Sequence, residues 1–295
     1  MTTRIPFSTQ QQLSVRLLLT GCLSVFVCLL LGDKCFAQFR TSYSKQPQAR
    51  GTGQSAGPRA NLPGGVYPQF RSKAGVIRWI PDQMPLKVYI SHGITLDSVL
   101  DKNNVPACNV NVLDQWPDIV ANVLEHPEQL QTFPLADGYN PNHLEAATQG
   151  INSWKAFERE GLFTFNLTDD PSDADIYVFW TNHFVNNLGL GLFANDIRGY
   201  TAKRSFWYRE ILQGKKAQFK PVVVMLRTTD SAGHVMPFNN MKSSAAHEFG
   251  HALGIEGHSA NSHDLMSIYY GNGAISANDA ATVRYLYHIN PDLIP

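Results

Sequence analysis

The chain has 295 residues, and its 24 basic side chains are balanced by 24 acidic ones, so the formal net charge is zero. That balance, with no basic run interleaved with aromatics, argues against nucleic acid or an anionic membrane surface as partner. With 43% hydrophobic and 16% charged residues, the composition suits an ordinary globular protein, long enough for one sizeable domain plus processing segments.

The chain opens with a targeting pattern. Arg4 and Arg16 form a positive region, residues 17–31 form an apolar stretch, and Cys35-Phe36-Ala37 supplies a small-x-small cleavage site. Residues 1–37 are therefore expected to be a signal peptide and Gln38 the mature N-terminus, with the product secreted or periplasmic. Retention as an anchor is the alternative, although the apolar run is shorter than the roughly 20 residues of a membrane span. Cys22, Cys28 and Cys35 lie in this segment, leaving Cys108 as the one cysteine of the mature chain and no internal disulfide. Residues 38–76, rich in Ser, Gln, Gly, Pro and Arg over much of their length, are expected to be a disordered linker. The folded domain is then residues 77–295, beginning near Ile77.

Within that domain, residues 86–91 have strand character behind Pro85. Residues 92–140 read as polar and irregular, with one short helix around 118–125. Asn140-Pro141 opens a helix on which Leu144, Ala147, Ile151 and Trp154 recur at helical spacing. Residues 163–167 and 175–180 look like strands. Residues 222–227, continuously apolar up to the closing Arg227, suit a strand covered on one face or both. Residues 243–253 and 278–287 are expected to be helices. The order points to an α+β (α/β-like) domain with one sheet and few long helices.

The chemistry is concentrated in HEFGHALGIEGHS, residues 247–259. Residues four apart on a helix share a face, so His247 and His251 can point their imidazoles at one ion. Zinc favours neutral imidazole, and a catalytic site keeps three protein ligands and one position for water. Glu248, beside the first ligand, can take a proton from that water. Gly254 can adopt positive φ and stop the helix, so that the returning chain brings His258 back as third ligand.

These residues resemble the metzincin zinc metallopeptidases, and the matrixins most closely, in a form similar to secreted bacterial members without a C-terminal propeller. Met266 matches the methionine of the family's Met-turn beneath the zinc, and Tyr270 a tyrosine that helps wall the primed-side specificity pocket. Residues 275–287 resemble the family's last helix. The resemblance implies a metzincin-type catalytic domain with one twisted mixed sheet, an active-site helix and a Met-turn. It also implies a single catalytic Zn2+ and hydrolysis of internal bonds of protein or peptide substrates; the chain is expected to be a monomer. The substrate would lie extended along a sheet edge. No membrane span is expected once the signal is cleaved.

Three features depart from the matrixin pattern. Ile255, Glu256 and Gly257 separate Gly254 from His258, one residue more than usual; Gly257 reads as the addition, bulging without steric cost, and Glu256 or His263 could substitute as ligand. Asp169, Asp170, Asp173 and Asp175 could hold Ca2+, although a solvated acidic turn is the simpler reading. No cysteine-switch propeptide is evident, and Cys108 reads as a buried or unpaired thiol. His92, His126, His143, His183, His234 and His288 follow no ligand spacing and read as loop or surface residues. Trp79, Trp116, Trp154, Trp180 and Trp207 read as core or rim. The residues leave two rival functions open: a non-catalytic zinc-binding protein of the same fold, or a zinc hydrolase of a non-protein amide.

Overall fold

The computed structural model describes residues 62–185, 197–269 and 273–295; the expected signal peptide lies outside them. The strands are β1 (Leu86–Thr95), β2 (Phe165–Thr168), β3 (Ile176–Thr181), β4 (Gly199–Ala202), β5 (Phe206–Trp207), β6 (Val222–Arg227) and β7 (Leu293–Ile294). The α-helices are α1 (Trp116–Val123), α2 (Pro141–Asn152), α3 (Tyr208–Leu212), α4 (Phe238–Ala252) and α5 (Ala277–His288). Five strands form one mixed sheet in the order β2-β1-β3-β6-β4, parallel throughout except for β4, which runs antiparallel to β6 at the edge. β5 and β7 make a separate antiparallel pair.

The sheet is buried on both faces, and the two-residue strand period assigns each side chain to one of them. Val88, Ile90, Ile176, Val178, Trp180, Val222, Val224 and Leu226 face the main core, which α2 and α4 fill with Ala146, Ala147, Ile151, Ala245, Ala246 and Phe249. Tyr89, Tyr177, Phe179, Val223 and Met225 face a second core on the opposite side. This explains why β3 and β6 are apolar up to their closing Thr181 and Arg227: neither face meets water.

Several elements begin where sequence patterning places them. Asn140 caps α2 by accepting from Asn142 N at 2.9 Å, with Pro141 in the first turn. Ser276 and Asp279 form a capping box at the start of α5. The Trp154 indole donates to the Ala246 carbonyl at 2.9 Å, tying the end of the α2 region to α4.

The structure departs from the sequence reading in five places. Residues 62–76 are not linker: Val66, Tyr67, Phe70 and Val76 are buried in the main core, too few and too unevenly spaced to show a period. Residues 96–136 are not merely polar and irregular. Leu96, Ala107, Leu113, Trp116, Ile119, Val120 and Leu130 build the second core from turns, 3-10 segments and α1, so no single period marks them. α4 starts at Phe238 rather than Ser243, and β1 continues to Thr95. His143, expected at the surface, is buried: Nε2 meets the Met236 carbonyl at 3.0 Å and the ring stacks on Trp180.

Candidate metal centre

α4 carries His247, Glu248 and His251 in its last two turns. It ends in a Schellman arrangement, with Gly254 N donating to His251 O (3.0 Å) and Ile255 N to Gly250 O (3.1 Å). Gly254 adopts φ 115°, and a Cβ there would lie 2.2 Å from the Ile77 carbonyl, so both conformation and space demand glycine. The remaining terminal carbonyls are also satisfied: Trp79 Nε1 donates to Ala252 O at 2.8 Å and Tyr287 OH to Leu253 O at 2.9 Å.

The returning chain delivers His258. One ring nitrogen from each of His247, His251 and His258 lies within 4.8 Å of the other two, and among the described residues these three form the group that could hold a metal ion. The Nε2 of His251 is 3.1 Å from that of His247 and 3.3 Å from that of His258. Tetrahedral ligands at about 2.0–2.1 Å from zinc would be separated by about 3.3 Å. The Nδ1 atoms of His247 and His251 each face a carbonyl, Leu265 O at 2.7 Å and Ile255 O at 2.5 Å. Each Nδ1 therefore carries the proton, and the Nε2 lone pairs converge on one point. Converging lone pairs repel unless a cation sits between them, so this donor set fits zinc. Burial holds the imidazoles in the neutral, ligating form: His247 is lowered to about 3, with the His258 charge adding to the effect, and His258 to about 4. His251 is lowered as well, first by burial and then by its two neighbours.

The extra residue before His258 is accommodated by pairing. Glu256 N donates to Phe70 O (3.0 Å) and Gly257 N to Gln69 O (2.8 Å). Gly257 keeps an ordinary negative-side backbone; glycine is required because a Cβ would meet the Gln69 carbonyl at 2.5 Å, which corrects the expectation of a free bulge. Glu256 is turned away from the histidines to an ion pair with Lys203 at 2.5 Å. His263 is exposed beside Asn261. Neither substitutes as ligand.

Met266 is fully buried beneath α4, where a Cβ on Gly250 would be 2.5 Å from its sulfur. Asp279 holds this turn, its carboxylate accepting from Leu265 N (2.8 Å) and Met266 N (3.3 Å). Asp264 accepts from Ser259 Oγ at 2.5 Å, tying the turn to the residue after His258. Tyr270 lies outside the described residues.

Glu248 is buried, 3% exposed, and its Oε2 accepts from Thr201 Oγ1 at 2.9 Å. Burial pushes its carboxyl up to about 8, against the opposing Thr201 hydrogen bond and Lys203 charge.

Sequence reasoning did not single out Thr201, Lys203 or Asp264, which lie outside any local motif; Asp279 carried a signal in its capping-box spacing from Ser276. Cys108 is free and buried, and burial beside Asp97 pushes its thiol up to about 12. In the acidic turn Asp173 pairs with Lys87, Asp175 accepts from Lys87 N and Asp170 accepts from Ser172.

A mixed sheet with an edge strand beside the metal-binding helix, a glycine-stopped helix, three converging histidines and a methionine beneath them define a zinc metallopeptidase of the metzincin class. The matrixin family model matches residues 140–288. The chain belongs to the matrixin family and is a zinc metalloendopeptidase with catalytic zinc at His247, His251 and His258. No curated protein matches the chain.

Proposed function

We propose that this matrixin is exported after removal of residues 1–37 and, as a monomer, hydrolyses internal bonds of extended peptide segments, with Glu248 as general base. The observation that carries the reading is the placement of Glu248: it follows the first ligand on α4, with its carboxyl directed to β4 at the sheet edge. When bound, zinc supplies Lewis acidity, acidifying a water and polarising the scissile carbonyl. Glu248 accepts the proton the attacking water loses and passes it to the nitrogen of the departing amine. Its buried carboxyl, held by the Thr201 hydroxyl, is positioned beside the ligands for both transfers. β4 offers its outer edge to an extended substrate, whose main chain would add to the sheet. Met266 supports the floor beneath the histidines and Gly254 sets the turn that returns His258; family resemblance assigns Tyr270 to the primed-side pocket. No helix among the described residues is long and apolar enough to cross a membrane.

The test is Glu248→Ala assayed on a peptide library. Zinc content and thermal stability should match wild type while turnover falls by roughly 10²–10⁴-fold. Undiminished turnover would remove Glu248 from the chemistry.

A further inference from the structure

Strand β4 has a pattern of its own. Successive residues alternate between faces, and the even positions face the second core: Ala202 is buried there and Tyr200 packs against it. The odd positions all face α4. A Cβ on Gly199 would lie 2.6 Å from Glu248 Cγ, so nothing larger than glycine leaves room for that side chain. Thr201 Oγ1 lies 2.9 Å from both Glu248 Oε2 and the Glu248 carbonyl. Just past the strand, Lys203 Nζ reaches the His251 carbonyl at 2.6 Å and the Glu256 carboxylate at 2.5 Å. The Lys203 side chain is only 9% exposed.

We propose that this inward stripe, Gly199, Thr201 and Lys203, positions the catalytic centre from the substrate-binding edge of the sheet. Thr201 is the positioning residue for Glu248. Its hydroxyl, sharing its one proton between the base's carboxylate and the base's own main-chain carbonyl, selects one carboxylate orientation in the space Gly199 leaves open. Lys203 is the positioning residue for the third-ligand loop. It joins the carbonyl of the second ligand to Glu256, two residues before the third, and so fixes the span from His251 to His258 that carries the additional residue. Side chains that orient metal ligands are commonly needed for full metal affinity. The Thr201 part rests on Glu248 being the base; the Lys203 part does not.

The two halves have separate readouts. Thr201→Val keeps the shape and removes the hydroxyl. It should lower kcat on a peptide substrate by on the order of tenfold or more, as expected for losing a hydrogen bond to a charged group. KM and zinc affinity should stay unchanged, and Thr201→Ser should restore kcat. Should the valine variant not fold, Thr201→Ala against Thr201→Ser reads the same difference.

Lys203→Met should weaken zinc by about tenfold in competition with a chromophoric chelator, a measurement that needs no turnover. Glu256→Gln should weaken it in the same direction, and Lys203→Arg should recover most of the affinity. Wild-type kcat in Thr201→Val, or equal impairment in Thr201→Ser, would overturn the role of Thr201. Wild-type zinc affinity in Lys203→Met would overturn that of Lys203. Glu248→Ala runs alongside: if it turns over normally, the reading of the base has failed, while the zinc measurement still judges Lys203.

Discussion

The two faces of the sheet are built on different principles. On one, the metal centre draws its ligands from a stretch of twelve residues, His247 to His258, whose spacing alone brings two rings to one helix face and turns the chain back with a third. On the other, the second core gathers Leu96, Ala107, Trp116 and Leu130 from a run of turns and short helices against Tyr89, Tyr177 and Met225. The family match, residues 140–288, includes all three ligands, whereas Leu96, Ala107, Trp116 and Leu130 lie outside it. Chemistry that needs fixed distances leaves a local signature, whereas a layer that needs only apolar volume does not.

The largest expected effect lies on the catalytic face. His247→Ala and His251→Ala should each abolish stoichiometric zinc, measured by elemental analysis after dialysis, because two imidazoles cannot complete a three-ligand site. Full zinc content in both would break the comparison at its root.

On the other face, Trp116→Ala should lower global stability by about 3–5 kcal/mol through lost burial and the cavity left behind. Denaturant titration gives the value, and the folded fraction should retain its zinc. Loss of metal in a fully folded Trp116→Ala protein would show the faces to be coupled.

A smaller contrast comes from pH. In metal-free protein His247 and His258 have folded-state values near 3 and 4 against 6.5 when exposed. Acid therefore protonates the unfolded chain first. The stability these neutral rings allow is present above about 6.5 and lost as pH falls through the window toward 4 and 3. Thermal melts of metal-free protein should show Tm declining across that interval. The Trp116→Ala deficit, which removes no titrating group, should keep its size over the same range.

The smallest effect is expected at His263. Exposed and partnered only within its own turn, it should give wild-type zinc affinity and turnover as alanine. A substantial loss there would reopen the identity of the third ligand.

How far the molecule could be read from its residues follows the same physical line. The ligands, the helix stop at Gly254, the buried methionine and the covered strands β3 and β6 were legible because helix period, strand period and backbone freedom are local properties. β4 was not legible, since Gly-Tyr-Thr-Ala is too short to show an alternation and contains a glycine. The inclusion of residues 62–76 was missed because their buried side chains, such as Tyr67 and Phe70, have meaning only against α5 and the third-ligand loop. His143 looked like a surface residue because nothing near it in sequence reveals that Met236 and Trp180 surround it.

By itself, then, the sequence determined the two donors on the helix, His247 and His251, the spacing that lets them converge, and the family whose chemistry they serve, since each depends on covalent geometry over a few turns of chain. The tertiary structure decided between His258, Glu256 and His263, because only the folded chain brings Lys203 to occupy Glu256 and leaves His263 in water. It also decided the setting of Glu248. The packing that buries this carboxyl and the Thr201 hydroxyl that meets it come from a strand 47 residues away, a distance over which no local pattern carries information.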